Sequence, residues 1–83
     1  MNSSFIRDMA AAVGAEMATK NLSIDDTLQQ LYRRILIRDA VDEEIAMASD
    51  YIGSLIDSGK SRSESIASYV QILFSSAEFR FIE

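Results

Sequence analysis

The chain contains no cysteine, no histidine and no proline, and it has only three glycines. Without cysteine there is no disulfide to staple a small core and no thiolate to hold a metal. Without histidine there is no imidazole ligand and no Ser-His or Cys-His catalytic pair. A protein lacking disulfides can reside on either side of a membrane, so the redox compartment stays open. Gly14, Gly53 and Gly59 are isolated from one another, which removes the glycine-rich loop that cradles phosphate. No Asn-Gly or Asp-Gly pair and no alternation of period two is present, which argues against a β-rich fold. No apolar run reaches the roughly 18–20 residues of a membrane span. The segment from Phe5 to Met17 carries Arg7, Asp8 and Glu16, which disqualifies it as a signal-peptide core. The chain is expected to be soluble, with no signal peptide and a cytoplasmic location by default.

What remains is 83 residues, the length of one domain. A chain this short buries only about 60–65% of its unfolded surface, so a partner would add to a modest core. The net charge of −5 is uneven: residues 1–38 hold five Lys/Arg and four Asp/Glu, residues 39–83 three and nine. An acidic second half repels phosphate and makes nucleic acid an unsuitable partner. Arg33, Arg34 and Arg38 form a small basic island whose ordinary reading is a solvated helix face.

Helical spacing runs through the whole chain. Ser3 or Ser4 can cap a first helix ending near Asn21, with Ile6, Met9, Val13 and Met17 as its stripe. Ala10, Gly14 and Ala18 lie four apart, a spacing that suits either a thin core contact or a helix seam with a partner. Ser23 begins a second helix with Ile24, Leu28, Leu31, Tyr32, Ile35 and Leu36 on its apolar face, and its last turns carry Arg33, Arg34 and Arg38. Asp39 and Ala40 form a short connection, and Asp42 caps a third helix from Glu43 to Ser58. That helix turns Ile45, Ala48, Ile52, Leu55 and Ile56 inward, with Met47 and Tyr51 at the margin. Gly59 tolerates the left-handed conformation past a helix end, and Ser61 with Glu64 has the spacing of a capping box. A fourth helix then spans Arg62–Phe74 through Ile66, Tyr69, Val70, Leu73 and Phe74. Ser75 with Glu78 repeats the capping spacing, which predicts a separate short helical turn folding Phe79 and Ile82 back over the core. The expected fold is all-α: one compact bundle of about four helices with a short C-terminal helical turn.

Chemistry-bearing patterns are few. Asp39, Asp42, Glu43 and Glu44 could offer oxygen ligands to calcium or magnesium, but Ile45 interrupts them and no glycine follows at the EF-hand position. Their ordinary reading, like that of Asp25 and Asp26, is favourable charge at a helix start. Most of the tyrosines and phenylalanines fall at core spacing, leaving Phe5 and Phe81 as the aromatics expected to reach a partner.

The stretches LYRRILIRDAVDEE and SLIDSGKSRSESIASYVQILFSSAEFRF resemble a small helical domain of bacterial secreted and surface proteins that has no assigned function of its own. Leu31, Tyr32, Arg38, Asp39, Asp42, Leu55, Gly59, Ser61, Ser76, Glu78 and Phe79 match its pattern of Leu-Tyr, Leu-Gly-Arg, Gly-x-Ser and Ser-x-Glu-Phe. Looser likenesses are to the linker domains of phycobilisomes and to helical tails of large planctomycete proteins. Ile37 replaces the glycine of Leu-Gly-Arg, Glu44 stands where glycine is common, and the tryptophan frequent in the next helix is missing. The resemblance covers residues 28–80 and leaves 1–22 as an extra N-terminal helix within the single domain. It implies a non-enzymatic interaction or linker module docking in a larger assembly, with no cofactor and no small-molecule ligand. It also implies a structural turn in which Arg38 pairs with Asp42 or Glu78, alongside Gly59. Two alternatives stand beside it: a subunit supplying carboxylates to a metal or enzyme site, and a small homodimer using the Ala10, Gly14 and Ala18 face.

Overall fold

The computed structural model describes the backbone of residues 3–82 and the side chains of residues 4–76. Four helices follow one another, α1 (Ser3–Thr19), α2 (Ile24–Ile35), α3 (Asp42–Asp57) and α4 (Arg62–Ile82), and no strand occurs among the described residues. The fold is the all-α bundle that the periodicity predicts. Helix α4 is the post on which the other three pack, and α1 makes the most extensive contact with it. The two run antiparallel: Gly14 lies against Ser63 and Ala67 near the start of α4, and the Arg62 guanidinium donates to the Leu22 carbonyl just beyond α1. Met17, Leu28, Leu31, Ile52, Ile66 and Val70 are fully enclosed where the helices meet. Burial of each of these aliphatic side chains contributes roughly 1.5–3 kcal/mol relative to exposure. The radius of gyration, 12.2 Å, is close to the ~12 Å expected for a compact chain of this length.

The stripe of small residues on α1 meets α4. A Cβ at Gly14 would stand 2.6 Å from the Ser63 carbonyl oxygen and 3.0 Å from the Ala67 Cβ, so only glycine permits this approach. Ala10 and Gly14 are buried and Ala18 is half-buried. This corrects the expectation of a partner seam, because the chain's own α4 covers that face. Met9 is exposed, since α1 packs mainly on α4 and only a narrow stripe of it is covered. The buried stripe of α3 is similarly narrow, Ala48 and Ile52 with Ile45 and Tyr51 at its edges, and Ile56 faces solvent rather than the core.

Helix ends follow the capping signals at three points, the start of α2, the end of α3 and the start of α4. The Ser23 hydroxyl accepts the Asp26 N–H at 3.1 Å to open α2. At the close of α3 the Gly59 N–H donates to the Ile56 carbonyl at 3.0 Å and the Lys60 N–H to the Leu55 carbonyl at 3.1 Å, with Gly59 at φ 108°. That is the double bond pattern of a Schellman stop. The capping box follows: the Ser61 hydroxyl accepts the Glu64 N–H at 3.0 Å, and the Glu64 carboxylate accepts the Ser61 N–H at 3.1 Å.

Elsewhere the ends differ from expectation. Helix α2 stops at Ile35 because Ile37 takes φ 58°, which places Arg38 outside the helix it was expected to close. Asp42 is the first residue of α3 rather than its cap; Val41 holds the cap position, and its N–H donates to the Glu44 carboxylate at 3.0 Å. No restart occurs at Ser75. With neither glycine nor proline to end it, α4 continues to Ile82, so the C-terminal turn is an extension of α4. The expectations for the side chains of Glu78, Phe79, Phe81 and Ile82 lie outside the described residues.

Candidate functional site

Three tyrosines bring α2, α3 and α4 together. The Tyr32 and Tyr69 hydroxyls lie 2.7 Å apart, and the Tyr51 hydroxyl lies 2.7 Å from Ser68 Oγ. The Tyr69 ring centroid stands 6.4 Å from that of Tyr32 and 6.0 Å from that of Tyr51, both in tilted pairs. Such pairs contribute about 0.5–1.5 kcal/mol each beyond burial. Burial, and then the bond with Tyr32, push the Tyr69 hydroxyl well above the ordinary phenol range. It therefore stays protonated at physiological pH and acts as a hydrogen-bonding group, not a base.

Beside this cluster an open groove of about 890 Å³ runs between the end of α2 and the outer half of α4. Leu36, Tyr32, Tyr69 and Leu73 supply apolar surface, Ile72 stands exposed in it, and Ser68 and Gln71 add hydrogen-bonding groups. Arg38 and Glu44 frame the other wall. The Arg38 guanidinium donates through both terminal nitrogens to the two Glu44 oxygens at 2.8 Å, and it also donates to the Asp39 carbonyl at 3.0 Å. Its Cζ lies 5.5 Å over the Tyr32 ring, within cation–π range. The pairing with Glu44 raises the guanidinium pKa further. Arg38 thus has a carboxylate partner, as the turn requires, but that partner is Glu44 and not Asp42.

The other two arginines of the island are also engaged. Arg34 makes a bidentate pair with Glu16 of α1 at 3.0 and 3.1 Å, and Arg33 pairs with Asp39. The Arg34 guanidinium, helped by Lys20, holds the Glu16 carboxyl below its usual range. These side chains are cross-links between elements as well as a charged helix face. A smaller hollow of about 360 Å³ is lined by Asp25, Asp42, Ile45, Ala46, Ser49 and Asp50. Among the described residues no group of three or more acidic side chains is arranged to hold a metal ion.

The sequence-predicted partner residues are therefore scattered. Phe5 is well exposed near the start of α1, Ala10 and Gly14 are enclosed under α4, and Phe81 lies outside the described side chains. Gly59 caps α3 far from the groove in sequence, while Arg38 is part of it. Sequence reasoning missed Leu36, Ile72 and Gln71 as groove residues. A signal existed in Ile72, an isoleucine immediately preceding the core positions Leu73 and Phe74, where the helix turns toward solvent. Among the described residues no helix is long and apolar enough to cross a membrane. No family model, curated protein or solved structure matches the chain.

Proposed function

We propose that the chain is a non-enzymatic interaction or linker module that docks another protein surface through the groove between α2 and α4. The observation that carries this reading is the groove itself: an apolar floor holding the exposed Ile72, bordered by an arginine already fixed by Glu44, Asp39 and Tyr32. Side chains held in place before binding lose little conformational entropy on contact, which favours recognition. The absence of histidine and cysteine leaves this groove without an imidazole or a thiol. The alternative of a carboxylate-supplying subunit is less favoured, because Asp39 and Glu44 are already engaged by Arg33 and Arg38.

A photo-activated cross-linker placed at position 72 tests the reading in an extract of the native cells, with the same group at Asp57 as control. Discrete protein adducts from position 72 and not from position 57 are expected. Equal labelling from both sites would remove the groove from consideration.

A further inference from the structure

Helix α2 ends on a residue that backbone chemistry does not favour there. The Leu36 N–H donates to the Tyr32 carbonyl at 2.8 Å to close the helix, and Ile37 in the next position takes φ 58°. That position is the usual place of glycine or asparagine, and a β-branched residue occupies it only under strain. Ile37 is 80% exposed, so burial of its side chain does not offset the cost. Its conformation is imposed by its neighbours.

Two restraints flank it. On the far side the Gln29 amide bonds both backbone groups of the buried Ala40. Next to Ile37, the Arg38 guanidinium donates to both Glu44 oxygens at 2.8 Å and to the Asp39 carbonyl at 3.0 Å, with its Cζ 5.5 Å from the Tyr32 ring centroid. Gln29 fixes where the segment arrives, and Arg38 fixes the path it takes from Leu36. Arg38, Glu44 and Tyr32 also line the groove, so this second restraint is part of its wall. A right-handed Ile37 would continue the turn of α2, and 100° per residue would set Arg38 about 120° around that helix from Tyr32, away from the ring. The left-handed turn at Ile37 and the seat of Arg38 over Tyr32 are therefore one conformation.

We propose that the Arg38–Glu44 pair is a latch that holds Ile37 left-handed, and that its release returns Ile37 to negative φ, withdraws Arg38 from the Tyr32 ring and opens that wall of the groove. Strain stored at Ile37 drives the movement. The bonds between Gln29 and Ala40 confine it to residues 36–39, and the bond from the Val41 N–H keeps Glu44 at the start of α3. The latch goes beyond the docking reading, and its test involves no partner.

Proton NMR of the full chain reads both ends of the movement. A positive φ gives residue 37 a strong Overhauser effect between its Hα and its own amide proton, and a seated Arg38 gives one to the Tyr32 ring. The wild type is expected to show both. Arg38→Met, which leaves Glu44 on the Val41 N–H, should lose the strong effect at residue 37, and Glu44→Gln should lose both. Adding Ile37→Asn to Glu44→Gln should restore both, because asparagine adopts the left-handed conformation with little strain. Ring contacts between Tyr32 and Tyr69, retained in every variant, report that the bundle is intact. A wild type without the strong effect at residue 37, or its survival in either Arg38→Met or Glu44→Gln, overturns the latch. An Ile37→Asn/Glu44→Gln variant that stays as open as Glu44→Gln overturns it equally, since strain would not be what moves the turn.

Discussion

The two connections that flank α3 solve the same problem in opposite ways. Between α3 and α4 the chain turns on Gly59 at φ 108°, closes α3 with two backbone bonds, and opens α4 with the reciprocal Ser61 and Glu64 bonds. Between α2 and α3 there is no glycine: Ile37 takes φ 58°, and the turn is held by side chains from a distance. The Gln29 amide accepts the Ala40 N–H at 3.0 Å and donates to the Ala40 carbonyl at 3.1 Å, while Arg38 and Glu44 bridge the ends. The first connection is local and self-sufficient. The second depends on tertiary partners and tolerates a strained residue because those partners over-determine it.

Removing one partner from the second connection should therefore have the largest effect. Gln29→Leu keeps the volume but strips the buried Ala40 of partners for both of its backbone groups. Leaving two such groups unsatisfied costs about 2–3 kcal/mol. Chemical denaturation should show this as a lower midpoint with an unchanged slope; a variant as stable as the wild type would mean that water replaces the amide and the turn is more local than argued.

Gly59→Ala attacks the first connection. A Cβ there meets open space, so the loss comes only from the backbone conformation and should be about 1–2 kcal/mol. A smaller loss in the denaturation midpoint than for Gln29→Leu supports the ranking of the two turns, and the reverse order breaks it.

This difference also explains what was legible in the sequence. Gly59, Ser61 and Glu64 act on neighbours within three or four residues, so spacing alone located the end of α3 and the start of α4. The core positions Leu28, Leu31, Ile52, Ile66 and Val70 were equally plain, because helical period selects them. The α2–α3 turn was misjudged at both ends. Gln29 lies eleven residues from Ala40 and looks like any solvated glutamine, and an isoleucine gives no hint of a left-handed backbone. The groove was illegible for a related reason: Leu36, Tyr69 and Ile72 share a surface only once α2 crosses α4. At Ser75 a valid local signal was overridden, since a capping spacing has no effect where the helix has no reason to end.

Ile37→Gly sharpens the comparison by giving the second turn the residue the first already has. Relief of about 1–2 kcal/mol of left-handed strain is offset by about 0.5–1 kcal/mol of added unfolded-state entropy. A net gain of about 0.5–1 kcal/mol is expected in dilute solution, read as a higher melting temperature. A loss would show that Ile37 makes an intramolecular contact outweighing its strain, despite its exposure.

The smallest effect is the response of the α3–α4 turn to pH. The hydrogen bond from the Ser61 N–H, followed by the Ser61 hydroxyl, lowers the Glu64 pKa from its ordinary value of 4.5. A carboxyl whose folded pKa is depressed stabilises the fold above its unfolded pKa, and that contribution is lost as pH falls through the folded value. The α3–α4 connection should thus weaken in acid; in the α2–α3 turn the Gln29 amide has no proton to gain, but the Glu44 carboxylate bound to Arg38 and the Val41 N–H does. Glu64→Gln retains a side chain able to bond the Ser61 N–H but removes the charge. Melting curves of wild type and variant should differ slightly above pH 4.5 and converge as the pH falls through the lowered Glu64 value. A gap that persists into strong acid would mean that Glu64 acts through shape alone. The capping box would then owe its contribution to geometry and not to charge.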